Sequence, residues 1–163
     1  MAWMMSLRPA AAVAIASLGL AAAGAAYAAT PFTNLGGTWS GGGKVRLENG
    51  RSEAIRCNAN YAPRSGGTTL GLSLRCASAS NRIELRARLT LNGRRVSGEW
   101  EERSFNASGY IGGVASGSIL RLRFSGSIEG SMVVTTSGVS QSISVRTDAS
   151  ALQGVNVSLR RRK

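Results

Sequence analysis

The sequence predicts an all-β fold: an antiparallel up-and-down barrel of eight to ten strands, with a two-sheet sandwich as the alternative architecture. Three observations carry this. No helical period appears after Thr30. Apolar and polar residues alternate with period two, the spacing of a half-buried strand. Gly, Asn and Ser interrupt the alternation about every eight to twelve residues, as turns between short strands do.

Taken in order, strands are expected near 37–47, 52–60, 68–76, 82–91, 94–102, 107–114, 118–126, 129–136, 140–147 and 154–161. In the first, Trp39, Val45 and Leu47 share a face opposite Lys44, Arg46 and Glu48. In the second, Ile55, Cys57, Ala59 and Tyr61 alternate with Arg56, Asn58 and Asn60. Leu70, Leu72, Leu74 and Cys76 form the apolar face of the third, and Ile83, Leu85, Ala87, Leu89 and Leu91 that of the fourth, against Arg82, Glu84, Arg86 and Arg88. Val96 and Trp100 continue the apolar face in the fifth. The sixth is too rich in glycine for parity to choose a face. Leu120, Leu122 and Phe124 alternate with Arg121 and Arg123, Ile143 and Val145 with Ser144 and Arg146, and Val155, Val157 and Leu159 close the series. Short connections favour a meander that closes on itself.

Parity also tests the turns, because a slip of one residue moves every side chain to the other face. Asn92-Gly93 as a two-residue type I′ turn pairs Leu91 with Arg94, sets Leu89 against Val96 and Leu85 against Trp100, and keeps both apolar faces together. It places Arg86 opposite Glu99 and Glu84 opposite Glu101. Asn49-Gly50 demands a three-residue loop instead, Glu48-Asn49-Gly50. This pairs Leu47 with Arg51 and Gly43 with Ile55, with Gly50 left-handed in a bulge.

Residues 1–28 read as a secretory leader and residues 29–163 as one β-barrel domain. Arg8 supplies a basic start, residues 9–26 an alanine-rich apolar run, and Ala26-Tyr27-Ala28 the small residues of a cleavage site before Ala29. The expected location is periplasmic or secreted, with no membrane-spanning segment. Two cysteines remain, Cys57 and Cys76, and an even pair in an oxidising compartment is most simply one disulfide. Pairing them aligns Ala59 with Leu74 and Tyr61 with Leu72 and closes a loop whose constraint is worth about 3 kcal/mol.

Composition removes several chemistries. The chain of 163 residues has no histidine, two cysteines, 20 basic residues against 8 acidic ones, and a formal charge of +12. Eighteen of the bases are arginine, and Asp148 is the single aspartate. Triads that need histidine and zinc sites of four cysteines or histidines are therefore excluded. Glu99, Glu101 and Glu102 are close in sequence, but Glu102 sits at a strand end where solvent or an arginine should satisfy it, and two nearby carboxylates without a cleft make no glycosidase. No catalytic residue, metal or cofactor is assigned, and the expectation is a protein that is not an enzyme.

The Gly36-Gly37-Thr38-Trp39 opening resembles the Gly-x-Trp start of lipocalin and avidin-like barrels. That resemblance implies a small ligand held in the barrel, with a late-strand arginine, Arg146 or Arg160, capping Trp39. With the two-cysteine segment and Gly98-Glu99-Trp100-Glu101-Glu102, the chain also resembles small exported proteins of alphaproteobacteria, which implies compartment and fold but no activity.

Two functions follow. Arg46, Arg75, Arg82, Arg86, Arg88, Arg121 and Arg123 share outward parity, and such stripes attract anions through long-range fields and bidentate bonds. The first expectation is thus a non-catalytic envelope protein binding anionic lipid, lipopolysaccharide or cell-wall polymer. Nucleic acid is not expected, since exposed stacking aromatics are scarce. The second is a lipocalin-like carrier of a small hydrophobic ligand among inward Trp39, Tyr61 and Trp100, which needs an interior of about 300 Å³ or more. Inward Gly41, Gly43, Ala59, Ala87 and Gly98 leave space that either strand curvature or a ligand must use.

Overall fold

A computed structural model of the chain describes residues 30–148 and 151–163. The leader expected over residues 1–28, with its cleavage site, lies outside the described residues.

A five-residue helix α1 (Pro31–Leu35) precedes ten strands: β1 (Gly37–Leu47), β2 (Ser52–Arg64), β3 (Thr69–Ala77), β4 (Arg82–Asn92), β5 (Arg95–Glu102), β6 (Ala107–Ser116), β7 (Ile119–Gly126), β8 (Glu129–Ser137), β9 (Ser140–Asp148) and β10 (Leu152–Arg161). Each strand pairs antiparallel with its chain neighbours, and β10 returns to β1, so the sheet is a closed up-and-down barrel. Closure leaves no unpaired edge. The sandwich alternative is thereby excluded.

One face of every strand turns inward, as the alternation requires. Leu85, Leu89, Leu122 and Val157 belong to one continuous interior. In glycine-rich β6, Ile111 and Ala115 are buried while Tyr110 and Val114 are exposed. Among the described residues no helix is long and apolar enough to cross a membrane.

Cys57 and Cys76 face each other in register and are joined, with a Cα–Cα separation of 4.1 Å. Ala59 faces Leu74 and Tyr61 faces Leu72 as parity requires. The bond fits the oxidising setting of an exported protein. The first loop also follows the parity argument: Gly43 pairs with Ile55, the Leu47 amide donates to the Arg51 carbonyl, and Gly50 has φ +78°.

The β4–β5 turn needs correction. Leu91 pairs with Val96 and Leu85 with Glu102, two positions along from the expected register. Arg86 therefore faces Glu101 and Arg88 faces Glu99. A type I′ turn at Asn92-Gly93 requires positive φ at both residues, and Asn92 is not among the positive-φ positions. The loop is Gly93-Arg94 instead, with Gly93 at φ +58° in the first loop position, where a II′ turn takes glycine. Gly117 and Gly138, at φ +57° and +56°, open the β6–β7 and β8–β9 turns in the same way. These three turns lie at the end of the barrel that α1 occupies.

The inward glycines are spent on curvature. A Cβ on Gly41 would lie 2.0 Å from the Ser158 carbonyl oxygen, and one on Gly43 1.8 Å from that of Asn156. Gly98 and Gly113 meet the Arg88 and Arg121 carbonyl oxygens at 2.1 and 2.0 Å. Neighbouring backbone takes the room that a side chain would need, which lets a narrow barrel close.

Candidate functional site

The helix α1 partly covers one end of the barrel, leaving a crevice toward Ser118, Thr136 and Gly138. Thr30 caps the helix by accepting the Thr33 amide, Pro31 starts it, and Phe32 and Leu35 are buried. Trp39, fully buried, donates its indole N–H to the Leu35 carbonyl at 2.7 Å. The arginine over this ring is Arg161, at 4.7 Å from the ring centroid. It also donates to the Asn34 carbonyl, while its Nε is buried without a partner. The expectation of Arg146 or Arg160 is thus corrected. Arg161 lies in register with Trp39, whereas Arg160 faces Ser40 and Arg146 lies outside on β9.

Inside runs an apolar cavity of about 170 Å³ whose lining includes Leu72, Leu85, Trp100, Phe124, Met132 and Val155. Leu35 of α1 forms part of its lining, and Phe105 and Ile128 belong to turns at the opposite end. Leu72, Leu74, Leu85 and Met132 point inward yet remain only half-buried, because they face this space. Of the three expected interior residues, Tyr61 and Trp100 line it and Trp39 does not. The volume is smaller than the expected 300 Å³, because the glycines draw the wall tight; Ala87 lines the cavity and Gly41, Gly43 and Gly98 do not.

Polar groups on this wall are few and bonded. The Tyr61 hydroxyl donates to Gln141 Oε1 at 2.9 Å, and Gln141 Nε2 donates to Thr136 Oγ1 at 3.3 Å. Burial raises the Tyr61 pKa well above the ordinary value of 10.0, against the smaller opposing effect of Gln141. The Trp100 indole donates to the Tyr110 and Ser125 carbonyls and meets Phe124 edge-on at 6.0 Å. Glu102, 7% exposed, is the one charged residue of the lining. It is neither solvated nor paired with an arginine: its oxygens accept the Glu84 amide at 2.6 Å and the Phe105 amide at 2.7 Å. It ties the β5–β6 turn to β4. Glu53, whose role parity did not reveal, does similar work at the same end. The Ser78 and Ser80 hydroxyls each donate to its carboxylate at 2.7 Å, and these bonds hold its pKa below the ordinary value of 4.5.

The seven arginines of the expected anion-binding set are all exposed, and the barrel spreads them around its circumference. Arg75 pairs with Glu84 at 3.9 Å, and Arg82 lies at the start of β4. Arg86 and Arg88 share an outer depression with Glu99 and Glu101, which offset their charge. Arg121 and Arg123 lie on β7, separated from β4 by two strands. Arg46 alone joins further cations in one groove. Its companions, Lys44 and Arg146, lie outside the expected anion-binding set.

The described residues thus form a closed antiparallel barrel with α1 at one end and Arg161 over Trp39. Among solved structures the chain is similar to Rv2717c from M. tuberculosis, with a TM-score of 0.62 and 15% identity over 80% of this chain and 94% of that one. It is also similar to the S-type phycobiliprotein lyase CPES from Guillardia theta, with a TM-score of 0.57 and 11% identity over 81% and 90% of the two chains. At these identities the likeness is one of fold. Compared by sequence, the chain matches no protein-family model and no curated protein. The lyase corrects the expectation that the chain is not an enzyme, for a barrel of this fold is a lyase by name.

Proposed function

We propose that the protein binds a small apolar molecule inside the barrel, and that it does so outside the cytoplasm after removal of residues 1–28. The observation that carries the reading is the cavity of about 170 Å³ with apolar side chains on almost every side. An engineered cavity of about 150 Å³ lined by Leu, Ile and Phe stays dry and takes up benzene. The Glu102 carboxylate disfavours an anionic ligand, so the ligand is a neutral ring or short hydrocarbon chain. One fold neighbour is a lyase by name, so the reading covers carriers and enzymes alike. The disulfide supports export.

Calorimetric titration with toluene tests the interior. Saturable binding is expected, and Ala87→Phe, which fills the space beside Trp100, should weaken it at least tenfold. Absence of binding, or equal binding by the folded variant, would refute the reading. N-terminal sequencing of the exported protein should begin at Ala29.

A further inference from the structure

The outer face carries one feature that interior binding leaves unused. On adjacent strands β9, β10 and β1, Arg146 faces Gly154 and Gly154 faces Arg46 in register. One row along, Ser144 faces Asn156 and Asn156 faces Lys44. Arg46 and Arg146 thus stand two strand spacings apart, roughly 10 Å between backbones, with a glycine between them. The result is a groove of about 270 Å³ whose lining includes Lys44, Arg46, Arg146, Ser52 and Asn156, and no carboxylate.

Three features mark this groove, although Arg121 and Arg123 also make no ion pair among the described residues. First, its three cations make no ion pair among the described residues, whereas Arg75 has Glu84, and Arg86 and Arg88 stand opposite glutamates. Asp148, on the same side of β9 as Arg146, does not line it. Second, Gly154 opens the floor: a Cβ there would lie 3.2 Å from the Val145 carbonyl oxygen and 4.0 Å from Arg46 Nη2. Third, the β1–β10 register shifts between Arg46 and Leu47, a bulge beside the groove of the kind that re-aims a side chain. Arg46 and Arg146 are not direct cross-strand partners, and Gly154 places no side chain between them.

We propose that this groove binds a phosphate group, with Arg46 and Arg146 closing on it from opposite sides and Lys44 adding a third charge. Guanidinium forks suit tetrahedral oxyanions, and two of them span the gap that one phosphate fills. The hydroxyl of Ser52 and the amide of Asn156 are placed to donate to further oxygens. The phosphate comes either from a soluble phosphomonoester or from a lipid headgroup.

The test is titration of the full disulfide-bonded protein with inorganic phosphate, followed by nitrogen-15 NMR. Saturable shifts are expected at the Gly154 amide and at the Arg46 and Arg146 Nε, and added sodium chloride should weaken them. Arg46→Gln with Arg146→Gln should weaken binding at least tenfold while the spectrum stays that of a folded barrel. Arg86→Gln with Arg88→Gln, which removes the same charge, should leave binding within twofold. Equal weakening in both pairs, or shifts spread over all exposed arginines, would overturn the proposal, as would absence of saturation. Co-sedimentation with phosphatidylcholine vesicles containing phosphatidic acid identifies the source. Sedimentation lost in the Arg46/Arg146 pair points to lipid, and phosphate binding without sedimentation points to a soluble ligand.

Discussion

Gly43 and Gly71 look alike in sequence, yet the barrel uses them differently. Gly43 faces inward with a carbonyl where its Cβ would be, while a Cβ on Gly71 meets nothing closer than 3.8 Å. Gly43→Ala should therefore destabilise the protein by about 2–3 kcal/mol through overpacking. Gly71→Ala should change stability by less than about 0.5 kcal/mol, and denaturant unfolding separates the two. Tyr61 gives a second prediction. Its pKa is raised by burial, so its contribution to stability is complete below the unfolded value of 10.0 and is lost as pH rises beyond it. Ultraviolet titration should show Tyr61 ionising only as the barrel opens; ionisation in the intact fold near pH 10 would contradict the buried placement. At this scale the sequence was partly legible. The parity of Val155, Val157 and Leu159 continues to Arg161 and turns Arg160 and Arg146 outward, so the partner of Trp39 was available from alternation alone.

Strand pairing shows what alternation can and cannot decide. It separates odd loops from even ones, which is why the Glu48-Asn49-Gly50 loop and the cysteine register agree with the structure. It does not separate two even registers, and β4–β5 slid by two positions because backbone φ at Asn92 and Gly93 chose the turn. The slide preserves every inward residue and changes the charge partners, moving Arg86 from Glu99 to Glu101. The disulfide ties β2 to β3 across 19 residues, and its loss should cost about 3 kcal/mol. Thermal unfolding of Cys57→Ala/Cys76→Ala against the oxidised protein checks this; an unchanged midpoint would mean that the closed sheet alone fixes the β2–β3 pair.

For the whole molecule, the fold was legible because alternating segments joined by short turns close most simply as a barrel, and the structure has that topology. The inner volume was not legible, since it depends on how sharply the strands coil, and the glycines that set the coil look like empty space in a sequence. Nor was the arrangement of cations: Arg46 joins Gly154 and Arg146 only because β10 closes on β1, a contact between the last strand and the first. The proposed function requires the interior to be a dry apolar chamber able to accept a small nonpolar guest. Diffraction from crystals pressurised with xenon tests it most directly. A xenon peak is expected inside the barrel, bounded by Leu72, Leu85, Met132 and Val155. A chain of ordered waters there, or an interior that takes up no xenon, would contradict it.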